Sequence, residues 1–255
     1  DGVAYLEAMS PVDCIFLDPA RRNEHGGKTV AISDCEPNVA ELEGLLLSKA
    51  NRIMIKLSPM LDLSQALKEL PHTQEVHIIS VNNECKELLL LLGQTAPEEI
   101  PVHCVNLSTK GEQEKQLFVF TREQEQHSEC SYTDTLGNYL YEPNASLLKA
   151  GAFRSIAAAY SAKKLHPNSH LYTSDTQIEG FPGRTFRIIN RCSLNKKEIK
   201  ENLSDLKKAN ITIRNFPATV AELRKRIKLA EGGDTYLFAS TLNDEQKVLV
   251  LCEKV

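Results

Sequence analysis

Short apolar runs alternate with amphipathic stretches along the first half of the chain. The apolar runs are rich in β-forming residues and predict three buried strands, at residues 12–17, 52–57 and 75–81. The amphipathic stretches predict helices between them, at residues 38–50 and 61–70. A leucine-rich stretch predicts one more helix, at 85–92, and two further runs predict a hairpin, at 102–107 and 116–121. This order indicates an α/β sheet that is parallel first and antiparallel at its edge.

A polar, turn-rich stretch at 123–138 follows this pattern and predicts a linker. Beyond it, a helix is predicted over 142–164, and the Gly-Phe-Pro-Gly segment at 180–183 predicts a second break. The remaining residues predict strands and helices in the order β-α-β-α-β-β, at 185–191, 196–208, 210–214, 218–230, 235–240 and 247–252. That order is typical of a small α+β domain with its helices on one face of a sheet.

The composition is that of a globular protein. Of the 255 residues, 42% are hydrophobic and 25% are charged, which excludes a disordered, collagen-like or coiled-coil chain. The longest apolar run, Leu88 to Leu92, is far too short to span a membrane, so we expect no membrane partner. Seven separated cysteines, with no Cys-x-x-Cys pair and no signal peptide, indicate reduced thiols in the cytoplasm. Because residue 1 is Asp1, we expect the chain to be a fragment or a processed product.

Charge is distributed unevenly between the two parts of the chain. Residues 1–183 contain 15 Lys and Arg against 25 Asp and Glu, whereas residues 184–255 contain 15 against 9. A basic C-terminal domain can bind a polyanion such as RNA through phosphate contacts. The candidate contacts are four cations in or near its predicted helices: Lys207, Lys208, Arg224 and Lys225. The alternative is a solvated helix face, because consecutive charges on a helix point in several directions.

The strongest local motif is Asp18-Pro19-Ala20-Arg21, directly after the first predicted strand. In open α/β sheets, ligands bind outside the carboxyl ends of the strands. The Asp18 carboxylate and the Pro19 carbonyl are two acceptors, which together can hold both hydrogens of an exocyclic amine. The alternative is a simple Asp-Pro turn without chemistry.

Polar residues also follow the next two predicted strands. Lys56 and Ser58 come at the end of the second strand, and Asn83 comes just after the third. Three polar strand ends in succession predict the rim of one cleft, so we take these residues as candidate substrate contacts. The alternatives are a lysine that extends to solvent and an asparagine that forms a turn or caps a helix.

Other kinds of site are not indicated. The seven histidines show no metal-ligand spacing with the cysteines, and His103, beside Cys104, is expected to be an ordinary strand residue. We therefore expect no metal. The sequence contains neither a P-loop nor a nucleophile elbow. Nothing in it indicates an oligomeric state.

Together these motifs carry a family resemblance. Asp18-Pro19-Ala20-Arg21 resembles the Asp/Asn-Pro-Pro-aromatic loop of S-adenosylmethionine-dependent amino-methyltransferases. The wider set resembles a bacterial class I methyltransferase family with a THUMP-like C-terminal domain, through the segments VDCIFLDPARR, DCEP, KLSPMLD, VNNECKEL and YLYEPNASLLKAGAF. The resemblance implies the C-terminal half of a Rossmann-like methyltransferase sheet at 1–125 and a linker with a ferredoxin-like segment at 126–183. It implies a THUMP-like α+β domain at 184–255.

The resemblance also implies roles for individual residues. Asp18 and the Pro19 carbonyl would hold the amine of a target base, and Arg21 would replace the aromatic residue that stacks on it. Asp1 would accept a hydrogen bond from the adenine amine of S-adenosylmethionine. The implied function is part of a methyltransferase that modifies an exocyclic amino nitrogen of an RNA base. The alternative is a non-catalytic RNA-binding or assembly protein that keeps a decayed methyltransferase fold.

One departure from the family concerns the cofactor. No glycine-rich loop follows a strand and opens a helix, since Gly26-Gly27 and Gly232-Gly233 are isolated pairs. We therefore expect these 255 residues alone to bind S-adenosylmethionine weakly or not at all and to be inactive without the rest of the protein.

Overall fold

A computed structural model describes residues 1–21, 31–109 and 115–255, apart from the side chains of Arg21 and Asp34. The chain divides into two compact units. The first unit consists of Asp1–His127 and Ala145–Ala152, and the second consists of Ser128–Asn144 and Phe153–Val255. Among the described residues, no helix is long and apolar enough to cross a membrane.

The first unit is built on a six-stranded mixed sheet with strand order β1-β4-β6-β5-β7-β8. The described strands of the first unit, two of which lie outside this sheet, are β1 Val12–Leu17, β2 Ala20–Arg21, β3 Cys35–Glu36, β4 Ala50–Leu57, β5 Thr73–Val81, β6 Glu84–Leu92, β7 Pro101–Leu107 and β8 Lys115–Thr121. The short strands β2 and β3 pair with each other outside the main sheet. Its helices are α1 Gly2–Ala8, α2 Val39–Lys49, α3 Leu63–Glu69, α4 Arg122–His127 and α5 Ala145–Ala150, with a 3₁₀ turn at Ile32–Asp34.

The predicted α/β class is confirmed, with β1 parallel to β4 and β5 parallel to β7. The predicted hairpin is present as the antiparallel pair β7 and β8, and residues 110–114 between these strands lie outside the described residues. A further antiparallel strand, β6, lies between β4 and β5. As a result, the carboxyl ends of β1, β4 and β5 all lie at one edge of the sheet.

The helix predicted over 85–92 is wrong, because this segment is strand β6. Asn82 and Asn83 have positive φ angles of 50° and 63° and reverse the chain in a two-residue turn. Buried and half-buried leucines then alternate along β6, and the buried ones are Leu88, Leu90 and Leu92. A run of consecutive leucines fits a buried strand as well as a helix, so its periodicity could not distinguish the two.

The two faces of this sheet differ. One face is buried, with residues such as Ile55 and Ile78 fully inaccessible, and helices α2 and α5 pack against its strands. Residues on the other face are half-buried or exposed. Phe16 in β1 and Val119 in β8 are two large hydrophobic residues that are exposed there. The second face therefore leaves polar side chains accessible.

The second unit contains a seven-stranded sheet with strand order β10-β11-β9-β12-β15-β14-β13. Its strands are β9 Tyr139–Pro143, β10 Lys163–Lys164, β11 Tyr172–Ser174, β12 Gly183–Cys192, β13 Asn210–Ile213, β14 Thr235–Thr241 and β15 Lys247–Lys254. Its helices are α6 Arg154–Ala159, α7 Lys196–Leu203 and α8 Val220–Ile227. From β12 onward the predicted order β-α-β-α-β-β is confirmed, and β9 to β11 extend the same sheet.

The single helix predicted over 142–164 is wrong. Its first residues form strand β9, which pairs with β12, and the rest is divided between helices α5 and α6 and strand β10. Helix α5 stops because Gly151 adopts a φ of 76°, a left-handed conformation that glycine tolerates and that commonly ends helices. An alanine-rich composition favours helix locally but does not exclude such interruptions.

The second sheet is buried on both faces along most of β14 and β15. Phe186, Phe238 and Val250 belong to a hydrophobic cluster on one face. Leu237 and Leu249, which alternate with them along β14 and β15, belong to a second cluster with residues of α7 and α8. The two helices therefore pack on the same face, as the α+β pattern predicted.

Candidate functional site

Asp18 lies directly after β1, at the edge where the parallel strands end. The chain on its C-terminal side is anchored, because Ala20 in β2 pairs with Glu36 in β3. The Asp18-Pro19 dipeptide is thus held between two paired strands, and the proline ring restricts its backbone further. The structure describes the backbone of Arg21 in β2, but the Arg21 side chain lies outside the described part, so its predicted stacking role stays a prediction.

The Asp18 carboxylate forms an ion pair with Lys56. Lys56 Nζ lies 2.6 Å from Asp18 Oδ2 and 3.8 Å from Glu87 Oε2, so one ammonium group bridges β1, β4 and β6. The hydrogen bond that Lys56 donates to Asp18 and the charge of Glu87 raise the pKa of Lys56 above its usual value, although burial acts in the opposite direction. Lys56 therefore stays charged and holds the Asp18 side chain in place.

These side chains line a cleft of about 340 Å³. Its walls come from four sequence segments that are distant along the chain: Asp18–Ala20, Cys35, Lys56–Pro59, and Lys86 with Glu87. Each segment falls within one of the motifs that carry the family resemblance, in the order DPAR, DCEP, KLSP and ECKE. The sheet topology brings them together, since β1, β4 and β6 are neighbours.

Ser58 also lines this cleft and shapes the turn after β4. Its hydroxyl oxygen accepts a hydrogen bond from the Met60 backbone N–H at 3.3 Å, and its carbonyl accepts one from the Leu61 N–H at 3.1 Å. A hydroxyl has one donor hydrogen besides its acceptor sites, so Ser58 can donate to a ligand while it stabilises the turn. Its role as a substrate contact stays a prediction.

Asn83 lies in the turn between β5 and β6 and is not among the residues that line the cleft. Its side-chain oxygen accepts a hydrogen bond from the Ala145 N–H at the start of α5, at 2.8 Å. Its backbone N–H donates to Asn106 Oδ1 at 2.9 Å. The geometry therefore gives Asn83 a role in connecting β7 and α5 to the turn, and no described contact bears on its predicted role with substrate.

A second cleft, of about 610 Å³, adjoins the first, because Cys35 lines both. Asp1 lines this cleft together with Glu36, Pro37 and Asn38. The Asp1 side chain caps helix α1, where one carboxylate oxygen accepts the Val3 N–H at 2.8 Å. A carboxylate has capacity for further donors, so Asp1 can accept another hydrogen bond, and its predicted role toward an adenine amine stays a prediction. The described residues that line this cleft include no glycine-rich turn between a strand and a helix.

The four predicted basic residues lie around the end of α8 in the second unit. The Lys207 carbonyl accepts the Ala230 N–H at 3.0 Å, which places the Lys207-Lys208 pair beside the chain that leaves α8. Arg224 donates to the Ala209 carbonyl at 3.2 Å. Arg224 is therefore partly structural, whereas Lys207, Lys208 and Lys225 are exposed.

Reasoning from the sequence assigned no role to Glu87 and missed Cys35 and Lys86 as cleft residues. Glu87 faces Lys56 because β4 and β6 are antiparallel neighbours, with Lys56 opposite Leu89. If residues 84–92 are interpreted as a strand, Glu87 lies two positions before Leu89, and both side chains point to the face that carries Lys56. The misassigned helix concealed this signal.

Comparisons with known proteins agree with this architecture. Residues 139–182 match a ferredoxin-like domain family, and residues 183–254 match a THUMP domain-like family. A crystal structure of a "putative methyltransferase" from Porphyromonas gingivalis W83 matches with a TM-score of 0.85 and 41% sequence identity. The match covers 95% of this chain and 60% of that chain. No curated protein matches.

These matches confirm the resemblance that the motifs indicated. The chain spans about 60% of the length of the Porphyromonas gingivalis protein, so it corresponds to part of such a protein. Residues 139–182 are similar to the ferredoxin-like family and residues 183–254 to the THUMP-like family, and the chain shares its fold with the Porphyromonas gingivalis structure.

Proposed function

We propose that the chain is the C-terminal part of an S-adenosylmethionine-dependent methyltransferase that modifies an exocyclic amino nitrogen of an RNA base. The observation that carries this proposal is the cleft in which Asp18 and Pro19 lie beside Lys56 and Glu87 at the carboxyl edge of the sheet. The 41% identity to a protein described as a methyltransferase supports the reaction class. The THUMP-like domain supports RNA as the substrate class.

Asp18 would position the amine of the substrate. A carboxylate offers about four lone-pair positions, so Asp18 can accept from Lys56 and from an amine at the same time. The Pro19 carbonyl would accept the second amine hydrogen, and the two acceptors together orient the nitrogen lone pair. Methyl transfer of this kind depends on placing the reacting atoms in line, which makes such positioning the main contribution of the chain.

S-adenosylmethionine, when bound, supplies an electrophilic methyl group, and Asp1 is the residue of this chain that would accept its adenine amine. The methyl carbon would bond to the substrate nitrogen as its bond to the sulfonium sulfur breaks, with that electron pair left on sulfur, and the hydrogens of the nitrogen would then become more acidic. Asp18 is placed to stabilise the developing positive charge and to accept a proton that then passes to solvent. Lys56 would keep the carboxylate oriented throughout, since its ammonium bridges Asp18 and Glu87.

The test is methyl transfer to RNA by the whole protein. Asp18→Ala should lower kcat/KM by about 10²-fold, because it removes an acceptor at the reacting atom. Asp13→Ala is the matched control, since Asp13 is an exposed aspartate on β1, the strand that Asp18 follows, and does not line the cleft. It should transfer methyl at the wild-type rate.

Two outcomes would contradict the proposal. An Asp18→Ala protein with wild-type activity would show that Asp18-Pro19 is only a turn. A wild-type protein that binds RNA but transfers no methyl group would favour the non-catalytic alternative with a decayed methyltransferase fold.

The RNA surface can be tested separately by changing Lys207, Lys208 and Lys225 together to Glu. Arg224 stays unchanged, because it holds the Ala209 carbonyl. Each phosphate contact adds about 0.7 to 0.9 to the slope of log affinity against log salt, so losing three should reduce that slope by about 2. The measurement is fluorescence anisotropy with a structured RNA over a salt titration.

The matched control changes three exposed lysines of α7 instead, Lys196, Lys197 and Lys200. This variant changes the net charge by the same amount as the first one and should leave the slope of log affinity against log salt nearly unchanged. Equal losses in both variants, or a flat salt response of the wild type, would show that the cations around α8 are a solvated surface.

A further inference from the structure

Three metal-ligand side chains that the cleft does not use lie together on the accessible face of the first sheet. Glu75 and His77 are two positions apart on β5, so both point to the same face. His103 lies on the neighbouring parallel strand β7, directly opposite His77. Their separation along the chain explains why histidine spacing in the sequence predicted no metal.

The geometry of this cluster is compact. Glu75 Oε2 lies 3.1 Å from His77 Nε2 and 3.9 Å from His103 Nε2. The three ligand atoms all lie within 4.8 Å of one another. The two imidazole rings stack with centroids 4.4 Å apart and an angle of 10° between their planes. Both Nε2 atoms therefore face the carboxylate from the same side.

We propose that Glu75, His77 and His103 bind one divalent transition-metal cation of the zinc class. Two imidazole nitrogens and one carboxylate oxygen suit Zn²⁺ and its neighbours, whereas Mg²⁺ and Ca²⁺ prefer sets made of oxygen alone. To reach one ion at bond lengths of about 2.0–2.2 Å, the two imidazole rings must rotate out of their stacked, nearly parallel arrangement so that both Nε2 lone pairs converge. Three protein ligands leave at least one coordination position for water.

The Glu75 carboxylate faces both histidines, so an ion bound at the two Nε2 atoms would also pair with that carboxylate. Burial and the neighbouring His77 lower the pKa of His103, and the charge of Lys115 acts in the same direction, while Glu75 opposes them.

The proposed metal site is separate from the Asp18 cleft. Two strand spacings lie between Lys56 on β4 and His77 on β5, about 10 Å across the sheet, with Leu89 of β6 between them. Glu75 also lies near the start of β5, away from the carboxyl edge. The ion would link β5 to β7 and stabilise the first unit by binding its folded state.

The test is Zn²⁺ binding by the whole chain, by calorimetry after removal of metals with a chelator. Every protein carries Cys14→Ser, because the exposed thiol of Cys14 could bind zinc itself. We expect one site per chain, and His77→Gln, His103→Gln and Glu75→Gln should each weaken binding by at least about tenfold. His127→Gln is the matched control, since His127 is exposed on α4 and lies outside the cluster.

Circular dichroism of each variant without metal checks that the variant folds. Adding Zn²⁺ should raise the melting temperature of the control but not that of the cluster variants. Equal Zn²⁺ affinity in the control and in all three cluster variants would overturn the proposal. Absence of saturable binding by the parent protein would do the same. Neither result would bear on methyl transfer, because the readouts are independent of it.

Discussion

The sheets of the two units differ in how their faces are covered. In the second unit, Phe238 and Leu237 are adjacent on β14 and both are fully buried, on opposite faces. In the first unit, Ile15 in β1 is half-buried, while its neighbour Phe16 is 58% exposed. The doubly covered sheet derives its stability from packing. The open face of the other sheet leaves room for accessible polar groups such as Lys56 and His103.

The largest expected effect is on the free energy of unfolding, and it tests this contrast by replacing one phenylalanine in each sheet. Phe238→Ala should lower the free energy of unfolding by about 3–5 kcal/mol, because it removes a fully buried ring that packs edge-on against Phe186. Phe16→Ala should change it by less than about 0.5 kcal/mol, because most of that ring already lies in water. Urea denaturation followed by circular dichroism measures both.

A large loss of unfolding free energy with Phe16→Ala would contradict this comparison, since it would show that this face of the first sheet is covered in solution. Native-state hydrogen exchange on the β1 amides would then show which segment is protected together with it.

A smaller effect is expected from the charged groups of the second unit. Glu142 in β9 is buried and accepts hydrogen bonds from both Arg184 and Arg214, the latter at 2.9 Å. Glu142→Gln should cost about 2–3 kcal/mol, because it leaves two guanidinium groups without their counter-charge. The loss stays below that of a fully buried pair, since the arginines are 33% and 36% exposed.

The matched control is Glu253→Gln, which breaks the ion pair between Arg187 and Glu253 at 2.6 Å on the surface of the same sheet. Exposed pairs contribute about 0–1 kcal/mol, so this change should be small. Thermal unfolding of both variants measures the difference. Equal destabilisation would mean that burial of Glu142 does not set the strength of its ion pairs.

The smallest effect concerns the start of α8. Thr219 caps this helix in a capping box with Glu222, and Thr219→Ala should cost about 1 kcal/mol. Hydrogen bonds from the backbone and side chain of Thr219 lower the pKa of Glu222 below its usual value. Since the folded pKa is the lower one, this contribution is present above the unfolded pKa and is lost as pH falls through the folded pKa.

Melting temperatures of wild type and Glu222→Gln should therefore differ at pH 7 and converge in acid, below about pH 4. Glu231→Gln is the control, because Glu231 is exposed and follows the helix. A difference between wild type and Glu222→Gln that persists unchanged into acid would show that the carboxylate charge is not what stabilises the cap.

Much of the fold could be predicted from local patterns. Strand β1 and helix α2 were predicted nearly to their observed ends, because a bounded apolar run and a capped amphipathic stretch each have one clear interpretation. The error at 85–92 occurred where residues with strong helix propensity lie in a sheet, and the error at 142–164 occurred where two short helices are interrupted and flanked by strands. There, the turn at Asn82-Asn83 and the left-handed Gly151 decide the structure, and tertiary pairing overrides propensity.

The candidate site was predicted in part for the same reason. Asp18 and Lys56 stand at strand ends, a position that can be recognised from the pattern of each strand alone. Their ion pair, its extension to Glu87 and the cluster of Glu75, His77 and His103 depend on which residues face each other across strands. A shift of register by one residue would move each side chain to the opposite face, and no local pattern specifies that register.

The sequence by itself determined the elements that local forces govern: apolar runs that must be buried, helix caps, and the Asp18-Pro19 turn after a strand. It also determined the basic character of residues 184–255, which is a sum over side chains. The tertiary structure alone decided that β6 lies between β4 and β5, and this order places Glu87 against Lys56. The physical reason is that strand pairing joins residues far apart in the chain, through backbone hydrogen bonds that are the same for every sequence.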